Sequence, residues 1–118
     1  MNRDNQVSTF QIFGELDKVF AVNLKPIQCS TDFIFLFPGQ KPISAIFLIE
    51  GEIEIFTRKK KVVVSGKNIL LLYNEYIYAR IVRKTVKINT GSLYCWADRA
   101  MIDELLSSDV VSSYSTSR

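Results

Sequence analysis

Residues 43–56 read ISAIFLIEGEIEIF, and this run constrains the fold more than any other stretch of the chain. Every second position gives Ala45, Phe47, Ile49, Gly51, Ile53 and Ile55, an apolar face that fits a β-strand packed on a core. The opposite face changes from Ile46 and Leu48 to Glu50, Glu52 and Glu54. One ribbon therefore leaves a fully buried place and emerges half-exposed, with a glycine near the transition. Glycine inside a strand marks a bulge, a kink or a close backbone approach. Such a strand needs a core around it, and 118 residues at 47% hydrophobic and 23% charged make one ordered domain.

The segments on either side read mostly as further short strands. DFIFLF is a compact apolar strand, and PGQKP is the loop that ends it. Arg58, Lys59, Lys60 and Lys61 form a hydrated hairpin tip between the ribbon and VVVS, and SGKN supplies another turn. Residues 69–73 fit a strand or a single helical turn, since so short a run is not decided by periodicity. VKIN and LYCW are strands divided by TGS, and Pro26 places LKPIQCS at an edge or a strand start. Helical spacing occurs twice. Phe10, Phe13 and Leu16 predict a helix over about residues 8–16. Ala100, Met101, Leu105 and Leu106 predict another, capped by Asp98. Residues 1–6 and the serine-rich 107–118 are expected to be mobile, leaving a single domain over 7–106. Helix, about eight short strands and helix describe a two-sheet roll or sandwich.

Composition closes several function classes. The chain has no histidine, which removes His-based triads, His-ligated metal sites and imidazole acid–base chemistry. No nucleophile–base pattern or metal-ligand cluster replaces them, so no enzyme, no cofactor and no metal are expected. Glu50, Glu52 and Glu54 share a strand face and read as a solvated edge rather than an acid–base pair. Cys29 and Cys95 lie far apart in apolar surroundings and are expected as buried reduced thiols. MNRDNQVSTF lacks a signal-peptide core and no run reaches about 18 apolar residues, which predicts a cytoplasmic protein with no membrane span. A formal charge of +3 permits an acidic partner without requiring one.

FIFLFPGQKPISAIFLIEGEIEIF resembles the first half of the cyclic-nucleotide-binding domain, with Phe47, Ile49, Gly51, Glu52 and Ile53 at the characteristic ribbon positions. VKINTGSLYCWADRAMIDELL resembles the final strand pair and following helix of that family, so the likeness spans roughly residues 10–106. It implies a mainly β, antiparallel double-stranded β-helix or jelly-roll of the CAP/Crp-like, cupin-like kind, with short flanking helices. The family's nucleotide cassette is a Phe-Gly-Glu at the head of a short helix, followed by Arg-Ala or Arg-Ser. Its glycine admits backbone N–H groups to the phosphate, its glutamate takes a ribose hydroxyl and its arginine pairs with the phosphate.

Aligned from Gly66, the Gly-Glu pair of that cassette falls here on Leu70 and Leu71. Arg80 and Arg83 are the arginines near the phosphate position, and neither precedes alanine or serine; Glu75 is a displaced candidate for the ribose. Losing the glutamate contact and weakening the cradle removes about 3–6 kcal/mol, on the order of 10²–10⁴ in affinity. The resemblance therefore implies a stand-alone regulatory roll with a degenerate pocket that contacts another protein of a signalling complex. Tyr73, Tyr76 and Tyr78 beside the two arginines are its candidate interface, and packing is the competing role for those rings. The alternative is a genuine cyclic-nucleotide sensor using Arg80 or Arg83 for phosphate. The helix-turn-helix that follows the sensor in DNA-binding relatives has no counterpart after Leu106, so no DNA contact of that type is expected, and a homodimer stays open.

Overall fold

A computed structural model describes residues 10–12 and 24–106 of the chain. Seven strands and two helices follow one another among them: β1 (Phe10–Ile12), β2 (Ile27–Gln28), β3 (Phe33–Leu36), β4 (Ala45–Phe56), β5 (Lys61–Leu71), α1 (Tyr73–Ile77), β6 (Thr85–Ile88), β7 (Leu93–Ala97) and α2 (Arg99–Leu106). All strand pairs are antiparallel, and β4 is their hub. Along one edge it pairs with β5, from Ile46↔Leu71 to Phe56↔Lys61. Its other edge is divided, with Ala45–Glu50 taken by β7 and Ile53–Phe56 by β6. Strands β1, β2 and β3 then extend β5, β7 and β6 respectively. The long β4–β5 ribbon thus bridges two wings that curl around a shared core. This is the antiparallel β-roll with short helices that the sequence implies.

The ribbon reverses its pleat half-way along. Ile46 and Leu48 join Ile53 and Ile55 in the inner core, whereas Ala45 and Phe47 lie in a second cluster on the other face. The inward parity thus passes from even to odd residues. Strand β5 switches with it, from Ile69 and Leu71 to Val64 and Val62. The switch occurs without slippage, because the pairing sum stays constant from Leu48↔Ile69 through Glu50↔Lys67 to Ile53↔Val64. At the crossing the paired Gly51 and Gly66 both have φ +141, and Asn68 has φ +56. The single apolar face expected from residue 45 to 55 is therefore two half-faces on opposite sides. The turn expected at SGKN is likewise a kink inside β5, since positive φ can redirect a strand as well as end it.

Gly51 answers a second demand besides its dihedral. A Cβ built there would lie 2.6 Å from the Cα of Ser92 and 2.4 Å from its Oγ. Ser92, only 1% exposed, latches the crossing. Its hydroxyl accepts from the Glu52 N–H at 3.0 Å and donates to the Glu52 carbonyl at 3.1 Å. The Asn89 N–H adds a bond to the same carbonyl at 3.0 Å, and the Cys29 N–H donates to the Ser92 carbonyl at 2.9 Å. The β6–β7 turn is thereby sewn to the middle of the ribbon.

Both faces of β4 are dry from Ala45 to Leu48. Phe47, Leu70, Cys95, Ile102 and Leu105 pack in the outer cluster, placing α2 over β4 and β7. Asp98 starts α2 as expected, its carboxylate accepting from the Met101 N–H at 2.9 Å. Burying a side chain such as Phe47 or Ile102 contributes about 1.5–3 kcal/mol, which is why so short a helix holds. Beyond the crossing the outer face is polar. Glu54 receives Lys87 at 3.3 Å, Lys61 at 3.8 Å and the Asn89 amide at 3.2 Å. The Asn89 amide also reaches Glu52 at 2.8 Å, so these carboxylates are cross-linked rather than merely solvated. At the hairpin tip the Thr57 hydroxyl accepts from the N–H groups of Lys59 and Lys60, leaving Arg58, Lys59 and Lys60 exposed around the turn.

The N-terminal helix expected over 8–16 is corrected by β1, which pairs Phe10–Ile12 with Ile69–Leu71. The alternation Phe-Gln-Ile suits a strand, and the available edge of β5 outweighs the helical spacing. The remainder of that span, and the mobility expected for 1–6 and 107–118, lie outside the described residues. Cys29 and Cys95 are free and buried, as expected. Burial pushes the Cys95 thiol up to about 11 and raises that of Cys29, which also sits near Asp32. Among the described residues no helix is long and apolar enough to cross a membrane.

Candidate functional site

The segment between β5 and β6 occupies the place where the family cassette falls. Leu72 adopts the left-handed conformation (φ 66, ψ 15) and turns the chain from β5 into α1. The helix is a single short turn: the Tyr76 N–H donates to the Leu72 carbonyl and the Tyr78 N–H to that of Asn74, both at 3.0 Å. Ala79, at φ 51, reverses the chain, and the Arg80 N–H returns to the Glu75 carbonyl at 2.9 Å. Residues 80–84 then run beside the β3–β4 loop. The Gly39 N–H donates to the Val82 carbonyl at 2.7 Å, and the Val82 N–H to the Gln40 carbonyl at 2.9 Å.

This excursion closes the roll with apolar side chains. Leu71, Leu72 and Val82 all belong to the inner core, together with Ile46, Leu48 and Val86. Leu70 and Leu71, where the Gly-Glu pair was aligned, are both buried, but the pleat separates them. Leu71 enters the inner core, and Leu70 packs outside with Phe47 and Cys95. Arg80 and Arg83 are exposed, and the Arg80 guanidinium lies 5.3 Å from the Tyr78 ring centroid. The structure thus joins Arg80 to Tyr78 but does not bring either arginine to the buried leucines. Tyr73 and Tyr76 are half-buried and pack on the outer cluster, whereas Tyr78 is 64% exposed.

Glu75 is the unusual group of the segment. It is buried, and its Oε2 pairs with the Lys84 Nζ at 3.6 Å, each side chain being nearly enclosed. Among the described residues its Oε1 has no hydrogen-bond partner. Eight residues lie between the two in sequence, so no local pattern announces the pair.

Described residues line two concavities on the outside of the roll. A cleft of about 620 Å³ between the start of β2 and α2 carries mixed charges, including Lys25, Asp98 and Glu104. A smaller pocket of about 140 Å³ is walled by Phe33, Phe35, Ile43 and Trp96, with Gln40 and Lys41 at its rim. The Phe35 and Trp96 rings stand 5.4 Å apart at a tilt of 59°. Sequence reasoning missed this pocket because its walls come from three separate segments. Its one legible signal was the apolar character of DFIFLF on a strand too short to bury both faces.

Comparison with solved structures reproduces the roll. Reduced CprK without ligand matches with a TM-score of 0.54 at 14% identity, over 89% of this chain and 55% of CprK. Oxidised CprK in complex with o-chlorophenolacetic acid matches with a TM-score of 0.52 at 17% identity, over 84% of this chain and 43% of CprK. At such identities the likeness establishes the fold alone, and the chain spans about half the length of those proteins. No family model matches the chain, and no curated protein matches it.

Proposed function

We propose that the chain is a non-catalytic, cytoplasmic regulatory module on a cyclic-nucleotide-binding-like roll, which takes no cyclic nucleotide and works by contacting another protein. The observation that carries this reading is the filled interior. Leu71, Leu72 and Val82 occupy the inner core, while Arg80 and Arg83 sit outside it in solvent. A nucleotide would have to displace packed side chains while Arg80 and Arg83 stay in solvent and the enclosed Lys84 is already paired with Glu75, at a cost of several kcal/mol. The test is thermal unfolding with cAMP, cGMP and cyclic dinucleotides. A ligand at 100 times its dissociation constant adds about 2.7 kcal/mol, roughly 10 °C for a domain of this size. No shift is expected, and a saturable rise would remove this reading.

A second reading has one observation in its favour. The unpaired Glu75 Oε1 is an acceptor of the kind a sugar hydroxyl needs. On that reading the module is a small-ligand sensor, and Arg80→Ala or Arg83→Ala would abolish the thermal shift. The same screen should include o-chlorophenolacetic acid, which CprK holds in one of the matching structures.

A further inference from the structure

Exposed apolar side chains gather around the β3–β4 loop. Ile43 is 76% exposed and Phe37 54%, while Phe33 and Trp96 are each 43% exposed beside the small pocket. The two backbone bonds to Val82 attach this loop to the segment that carries Tyr78 and Ile81, also exposed. A single exposed residue needs no explanation, but a connected group around a concavity marks a contact surface.

The charge of the surface is one-sided. Neither residues 33–49 nor residues 76–97 contain an aspartate or glutamate. Lys41, Arg80 and Arg83 are exposed there. Two of the flanking carboxylates are engaged, Glu75 being buried against Lys84 and Asp32 accepting two bonds from Thr90 and pairing with Lys87, while Glu50 is exposed further along β4. Beyond Trp96, Asp98 and Glu104 belong to the larger, mixed-charge cleft, where Asp98 caps α2. Among the described residues the rim of the small pocket carries Lys41 and Gln40 and no carboxylate.

We infer that this surface docks an acidic segment of a partner protein, one apolar side chain entering the pocket between Phe33, Phe35 and Trp96 while neighbouring carboxylates meet Lys41, Arg80 and Arg83. This rests on the protein-contact reading above and names the partner's chemistry. A volume of about 140 Å³ holds one leucine- or phenylalanine-sized side chain. The tilted aromatic pair makes rigid walls for it, and the cations select acidic sequence around it. A small concavity between two rigid rings suits a single protruding side chain, which favours a peptide over the broad face of a lipid surface.

The experiment selects random peptides of about 12 residues on the full chain and measures enriched peptides by fluorescence polarisation. Enriched peptides should carry aspartate or glutamate next to one aromatic or aliphatic residue and should quench Trp96. Lys41→Glu and Ile43→Ser, both fully surface changes, should each weaken binding by about tenfold at unchanged melting temperature. Failure to enrich any binder, enrichment of peptides without acidic residues, or binding indifferent to both variants would overturn the inference. Peptides that bind elsewhere would overturn it while leaving the protein-contact reading intact, whereas a saturable cyclic-nucleotide shift would remove that reading and with it the ground of this inference. Phosphatidylcholine vesicles with about 30% phosphatidylserine form the second arm. Co-sedimentation with them that Ile43→Ser abolishes would overturn the peptide assignment in favour of a membrane surface.

Discussion

Gly51→Ala isolates the crossing of the ribbon. The new Cβ would stand 2.6 Å from the Ser92 Cα, a backbone atom, at a residue with φ +141. The dihedral costs about 1–3 kcal/mol for an L-residue. Moving the Ser92 turn costs about 1–3 kcal/mol more, because its bonds to Glu52 and Cys29 must stretch together. The expected loss is about 2–6 kcal/mol against a total of about 5–15, lowering the melting temperature by roughly 10–30 °C. Gly66→Ala is the control. It has the same φ, but its added Cβ meets only the Ile69 Cδ1 at an ordinary 3.4 Å, so it should lose about 1–3 kcal/mol. Thermal and urea unfolding of both variants measure the gap. Ser92→Ala should not rescue Gly51→Ala, because the Cα and Cβ of residue 92 remain in the way. Equal losses at the two glycines, or rescue by Ser92→Ala, would refute the close-approach argument.

Two further outcomes follow from the charges. Lys84→Met strips the cation from the buried Glu75 and should cost about 3 kcal/mol by thermal unfolding, most of it regained in Glu75→Gln/Lys84→Met; a single variant as stable as the wild type would refute the pairing. Thr90 holds the Asp32 carboxyl below its ordinary 3.8, and Asn89 and Lys87 hold that of Glu54 below 4.5. Their contribution is therefore complete above those values and lost as pH falls through the depressed native ones. The melting-temperature gap between wild type and Lys87→Met should stay level near neutrality and shrink below about pH 4; a gap constant to about pH 2 would contradict it.

The order of strands, the hairpin tip and the Asp98 cap were legible because each rests on neighbouring residues. The pleat reversal was not. Reading every second residue assumes an uninterrupted strand, and a paired Gly51 and Gly66 violates that assumption without leaving a turn between them. The helix expected near Phe10 failed for a related reason, since the edge of β5 that recruits Phe10–Ile12 is supplied by residues 69–71. At the site, the burial of Leu70 and Leu71 followed from their being leucine. The Glu75–Lys84 pair, the Ser92 latch and the walls of the Phe33–Trp96 pocket depend on chain segments meeting at a distance. A lone serine in a turn carries no mark of such a meeting.

The divided edge of β4 also orders the folding of the molecule. Its hairpin with β5 closes over a four-residue turn and can form within microseconds. The opposite edge, from Ala45 to Phe56, waits for residues 85–97, and both arrive through long loops that form slowly. During synthesis, β4 therefore leaves the ribosome with that edge open and rich in isoleucine and phenylalanine. Any chain cut short before β7 would keep at least Ala45–Glu50 open, in the form that pairs most readily with other chains.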